Sequence, residues 1–130
     1  MLLVVVMDAR VSAILGPAMA AILPSTAVTF VIFFSILAPL SLYRGPLNIW
    51  GLGLGLAGVM LSAGKLGATS IMAALMTTGQ IQGVCDPTNT QNVWTASATG
   101  VDVNDIMKKT LPYVWVGVVI GLIVAAVMYF

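Results

Sequence analysis

Glutamate and histidine do not occur in this sequence, cysteine occurs once, and charge is scarce, with four acidic and five basic residues among 130 positions. One thiol and no imidazole exclude an internal disulfide and a Cys/His zinc site. No pair of carboxylates, no nucleophile beside a base and no metal-ligand cluster can be traced along the chain, so the sequence reads as a non-enzyme that calls for no cofactor and no metal. The bases Arg10, Arg44, Lys65, Lys108 and Lys109 are scattered. A nucleic-acid partner would need them gathered on one face.

What the chain has in abundance is apolar surface. Hydrophobic residues make up 60% and charged residues 7%, and the mean hydropathy is +1.09. Soluble domains run at roughly 45–50% apolar and about 25% charged. The expectation is an all-α integral membrane protein, a single transmembrane domain over 1–130, multi-pass in the inner (plasma) membrane. The start "MLLVVVMDAR" lacks the basic region of a secretory signal and reads as a segment of something larger.

A bilayer core of about 30 Å takes about 20 apolar residues as a helix. Residues 26–43 and 111–130 meet this without interruption, with Tyr113, Trp115 and Tyr129 suited to the interfaces. A third span, 47–64, carries Gly51, Gly53, Gly55 and Gly58, a spacing that lets another backbone approach or lets this one unwind. "GLGLGLAG" there has no Rossmann context and no phosphate-binding Lys. Residues 11–24, with Pro17, form either a broken helix or the tail of an earlier one. Ser25 is placed to cap the next span, and Asp8 and Arg10 read as an interfacial pair. Asp102 and Asp105 beside Lys108 and Lys109 read as a solvated connector.

Residues 66–99 differ. "LGATSIMAALMTTGQIQGV" starts as a membrane helix and turns polar after Met76; then "CDP" puts Asp86 and Pro87 where a helix-start pair belongs. The expectation is a re-entrant helical hairpin, two half-helices meeting at a polar tip. Backbone of this kind is tolerated at membrane depth only against protein or a watery cavity. One half-helix would offer carbonyls and the other N–H groups, so a small organic anion and a coupling H⁺ or Na⁺ could bind together. The candidate substrate residues are Thr88, Asn89, Thr90, Asn92 and Thr78, and those for the coupling ion are Asp86 and Gln80. Each has a plainer reading: Asp86 as a helix cap, Thr88–Thr90 as a polar turn, Thr77, Thr78 and Gln80 as helix-to-helix hydrogen bonders, Trp94 as a packing or interfacial residue. A returning hairpin would put Lys65, Lys108 and Lys109 on one face, cytoplasmic by the positive-inside rule, opposite Arg10 and Arg44.

The order of a Pro-broken segment, "APLSLYRGPLNIWGLGLG", the tip "CDPTNTQN" and the closing "ATGVDVNDIMKKTLPYVWVGVVIGLIVAAVMYF" resembles the C-terminal part of secondary carriers of the ion transporter superfamily, such as citrate/proton symporters and gluconate-type permeases. The resemblance implies an elevator-type carrier of carboxylates built from two inverted repeats. This chain would hold about one repeat, a second chain or a further copy supplying the other. The tip reads Thr88-Asn89-Thr90, without the Ser common in such carriers. The alternative, from another class, is a small structural subunit of a membrane complex with no transport site, in which the Gly51–Gly58 face matters more than the tip. A small multidrug exporter is disfavoured by the missing Glu.

Overall fold

The computed structural model describes residues 8–130, and the Leu/Val-rich start, 1–7, lies outside them. The described residues contain helices and turns and no strand. In chain order the helices are α1 (Ala9–Ile22), α2 (Ala27–Leu37) with a 3-10 continuation (Ala38–Arg44), α3 (Gly53–Ser62), α4 (Ala68–Cys85), α5 (Thr90–Thr99) and α6 (Val103–Tyr129). Two stretches, Ala27–Arg44 and Val103–Tyr129, are long and apolar enough to cross a bilayer.

Local chemistry sets the boundaries. Asp8 caps α1 by accepting from the Arg10 backbone N–H at 2.8 Å, so the expected Asp8–Arg10 contact is made through backbone. Thr26, not Ser25, opens α2, in a reciprocal capping box with Thr29. Asp102 accepts from the Asn104 N–H at 2.7 Å and α6 begins at Val103, so the expected connector is the first two turns of the last helix. Lys108 and Asp105 pair there at 3.2 Å, both exposed.

Pro39 ends the α-helical run of α2. It has no N–H to give the carbonyl four residues earlier, that of Ser35, and Trp115 supplies the missing donor from α6, its indole Nε1–H reaching Ser35 O at 2.8 Å. Trp115→Phe is expected to leave that carbonyl unpartnered and to cost about 1–3 kcal/mol, measurable by thermal unfolding in detergent micelles.

The core is built from α2 with its 3-10 continuation, α4 and α6. α6 runs antiparallel to both others. At one end Ser70 Oγ–H donates to Tyr129 O at 2.7 Å and the Phe30 and Phe130 rings lie 5.3 Å apart. At the other, Tyr43 OH is 4.0 Å from Met107 Sδ and Cys85 lies beside Thr110. Phe30, Phe34, Ala74, Leu75, Ile81 and Leu122 are fully buried between the three. α6 packs tightly on α4 at Gly121, where an added Cβ would come 2.7 Å from Thr77 Cγ2. Gly121→Val is therefore expected to destabilise by about 1–3 kcal/mol, with partial recovery when Thr77 is also cut back to Gly.

The outside of this bundle is also apolar along α2 and α6. Val28, Ile32, Ile36 and Leu40 are exposed at four-residue spacing along α2, and Val116, Ile120, Val124 and Val127 are exposed on α6. A helix that is apolar all round belongs in a large core or a membrane.

Three sequence expectations are corrected. The third span, 47–64, holds only the ten-residue α3, about 15 Å long, preceded by turns over 45–52. The first arm of the expected hairpin is not a half-helix: α4 has 18 residues, about 27 Å. Arg44 shares one end of the bundle with Lys108 and Lys109, through the Tyr43–Met107 contact, while Lys65 sits at the other beside Tyr129 and Phe130, which breaks the expected grouping of the lysines.

Candidate functional site: the amide junction at the end of α4

A helix leaves its last four carbonyls without intrahelical donors. In α4 these belong to Gln82, Gly83, Val84 and Cys85; the Asp86 N–H at the cap reaches Gln82 O at 3.3 Å, and the polar island that follows supplies side-chain donors to Gln82, Gly83 and Val84. Asn89 Nδ2 donates to Gln82 O at 2.6 Å and Gly83 O at 3.1 Å. Gln91 Nε2 donates to Gly83 O at 2.8 Å. Asn92 Nδ2 donates to Val84 O and Asp86 O, both at 2.9 Å. The reason "TNTQN" follows "CDP" is thus local: the amides of one helix start close the open end of the helix before it.

Asp86 is not the cap of α5. It is the C-cap of α4, and α5 starts later, at Thr90 behind Asn89. Its fully buried carboxylate folds the turn by accepting from the Thr88 N–H at 2.8 Å and the Thr88 hydroxyl at 2.6 Å on Oδ1. Oδ2 accepts the Tyr43 N–H at 2.7 Å, a link across the bundle. Burial pulls the Asp86 pKa upward, but the donations from Thr88 and Tyr43 outweigh it and hold the carboxyl below the ordinary aspartate value.

The Tyr43 link secures strained backbone. Tyr43 and Arg44 both have positive φ, 53° and 56°, a conformation that costs a non-glycine residue roughly 1–2 kcal/mol. Behind them the chain is pressed on itself, and a Cβ at Gly45 or Gly51 would run into the carbonyls of Leu40 or Arg44. Gly51 is required by that loop closure, and Gly53 by the Asn48 carbonyl in the same way.

A second layer ties the loop to α4. Asn48, buried, donates from Nδ2 to Gln82 Oε1 at 3.2 Å and accepts the Trp50 N–H at 2.8 Å. Gln82 Nε2 continues to Asn89 Oδ1 at 2.9 Å. Thr78 donates to Leu47 O at 3.1 Å and Ala74 O at 2.9 Å, and Ser41 donates to Thr78 O at 2.8 Å.

Asp86, Thr88, Asn89 and Asn92 therefore meet at this junction, and Thr90 opens α5 beside them as an exposed residue. Thr78 sits about 12 Å further along α4, and Gln80 is exposed on that helix, its Nε2 3.3 Å from Met76 O. Gln80 lines a groove of about 490 Å³ with Met76, Thr77, Val114, Gly117 and Gly121. Ser41, Asn48 and Gln82 join this network without belonging to any local motif. The available signal was a polar side chain standing alone in an apolar stretch, which in a membrane protein needs a named partner.

No protein family, curated protein or solved structure matches this chain.

Proposed function

We infer that this chain is a multi-pass membrane unit whose work is helix packing within a larger membrane assembly, and that its polar island is a structural junction. The observation that supports this most is the use of the Asn89 and Asn92 amides on α4 carbonyls, which leaves those donors engaged before any ligand arrives. Asn89→Ala is expected to lower stability in micelles by about 1–2 kcal/mol, because the Gln82 side chain loses its acceptor and the Gln82 and Gly83 carbonyls keep only the Asp86 N–H and the Gln91 amide. Any functional loss should follow the loss of folded protein. An Asn89→Ala protein as stable as the parent that fails to bind or move a small carboxylate would overturn this reading.

A second reading is favoured by one observation. The groove between α4 and α6 puts Thr77 and Gln80 on an otherwise apolar wall, and Gly117 has open space above it. A carrier half for small organic anions, coupled to H⁺ or Na⁺ in the plasma membrane and completed by a second chain or copy, would use such polar groups at mid-span. Gln80→Leu separates the readings: unchanged stability with lost carboxylate uptake in proteoliposomes supports the carrier, and unchanged uptake removes Gln80 from it.

A further inference from the structure

We propose that the Asp86 end of the bundle lies at the membrane surface, seated in phospholipid headgroups, with α5 and the first turns of α6 projecting into water instead of dipping into the bilayer. The proposal rests on the membrane reading above and fixes where the bilayer sits.

Between the level of Thr110, beside Cys85, and Tyr129, beside Ser70, α6 rises about 29 Å, and α4 is about 27 Å long. Both match a hydrocarbon core of about 30 Å. α4 is then a complete crossing, and its end at Asp86 coincides with the far interface.

α6 begins at Val103, seven residues before Thr110, so it extends about 10 Å beyond the end of α4. α5 packs against α6 and shares little contact with α4. After its first turn has capped α4, α5 leaves with the projecting start of α6 and does not fold back along α4, as a re-entrant hairpin must.

This end presents Trp50, Trp94, Tyr43 and Tyr113, exposed by 80%, 73%, 59% and 81%. Exposed aromatics with a polar edge mark the interfacial belt. Arg44, Lys108 and Lys109 at the same end suit the phosphates, with their long stems over apolar surface. Beyond them the sequence turns polar, with Asp102, Asn104 and Asp105.

The test uses the full chain in leaky vesicles of phosphatidylcholine and phosphatidylglycerol, with single added cysteines at exposed Ser97 (α5), Asn104 (start of α6) and Ile120 (mid α6), and a membrane-impermeant maleimide. Native Cys85 is buried. The expected result is labelling at Ser97→Cys and Asn104→Cys and protection at Ile120→Cys. Labelling at Asn104→Cys with protection at Ser97→Cys would overturn the placement and restore a dipping hairpin while the membrane reading stands. Equal labelling at all three positions would remove the bilayer from α6 and with it the membrane reading. As a measurement independent of added cysteines, the difference in tryptophan emission between the parent and Trp94→Phe should be quenched more by lipids brominated near the headgroup than by lipids brominated near the chain end; the opposite order would overturn the placement.

Discussion

Asp86→Ala is expected to destabilise the fold by about 3 kcal/mol or more. The substitution removes the acceptor for the Tyr43 N–H and both Thr88 donors. A donor left unpartnered in a part-buried position costs about 1–3 kcal/mol, and the left-handed pair Tyr43–Arg44, at roughly 1–2 kcal/mol each, loses its tie to α4. Asp86→Asn should rank between the two: its oxygen can still serve Thr88, but its amide would face the Tyr43 N–H donor to donor. The pH dependence has a definite sign. The folded carboxyl lies below its ordinary value, about 3.9 when unfolded. Its contribution is therefore complete above that value and is lost as pH falls through the lower, folded one. As pH falls into strong acid the parent should therefore lose stability toward that of Asp86→Asn, whose side chain is neutral at every pH; such a loss near neutral pH would contradict the assignment.

Gly51→Ala is expected to have an effect at least as large. The added methyl would occupy the position of the Arg44 carbonyl, which belongs to a residue already in the left-handed region. Two main-chain segments would have to separate, and no side chain can yield in their place. The expected loss exceeds the roughly 1–3 kcal/mol of ordinary overpacking. Gly79→Ala is the internal contrast. Gly79 lies within α4 with open space where its Cβ would be, so alanine should stabilise by about 0.5–1 kcal/mol. Thermal unfolding of both variants in the same detergent reads the difference, and a Gly51→Ala protein that melts with the parent would show that the loop does not need its glycine.

The two long apolar helices and the grouping of Asp86, Thr88, Asn89 and Asn92 could be read from the sequence because each depends on neighbours close along the chain. α4 could not. Its polar residues Ser70, Thr78 and Gln82 are buried and partnered inside the bundle, so a helix as long as a crossing reads as one that fades. The glycines of 51–58 promised helix packing, yet Gly51 and Gly53 answer to carbonyls of Arg44 and Asn48, contacts set by how the 45–52 loop folds back. The cap at "CDP" was displaced because Asp86 has a stronger use: its carboxylate reaches Tyr43, 43 residues away in sequence, and no local pattern encodes that partner. The same holds for Trp115 and the Ser35 carbonyl that Pro39 leaves open.

The central claim, that the polar island closes α4 and holds the bundle end together, is tested most directly by the unfolding free energy of Asn92→Asp at neutral pH. This near-isosteric change replaces the donor shared by Val84 O and Asp86 O with a charged acceptor. A destabilisation of about 2–4 kcal/mol is predicted, from two lost hydrogen bonds and the oxygens left facing one another. Stability equal to the parent would contradict the claim and mark Asn92 as a side chain that faces water or a ligand.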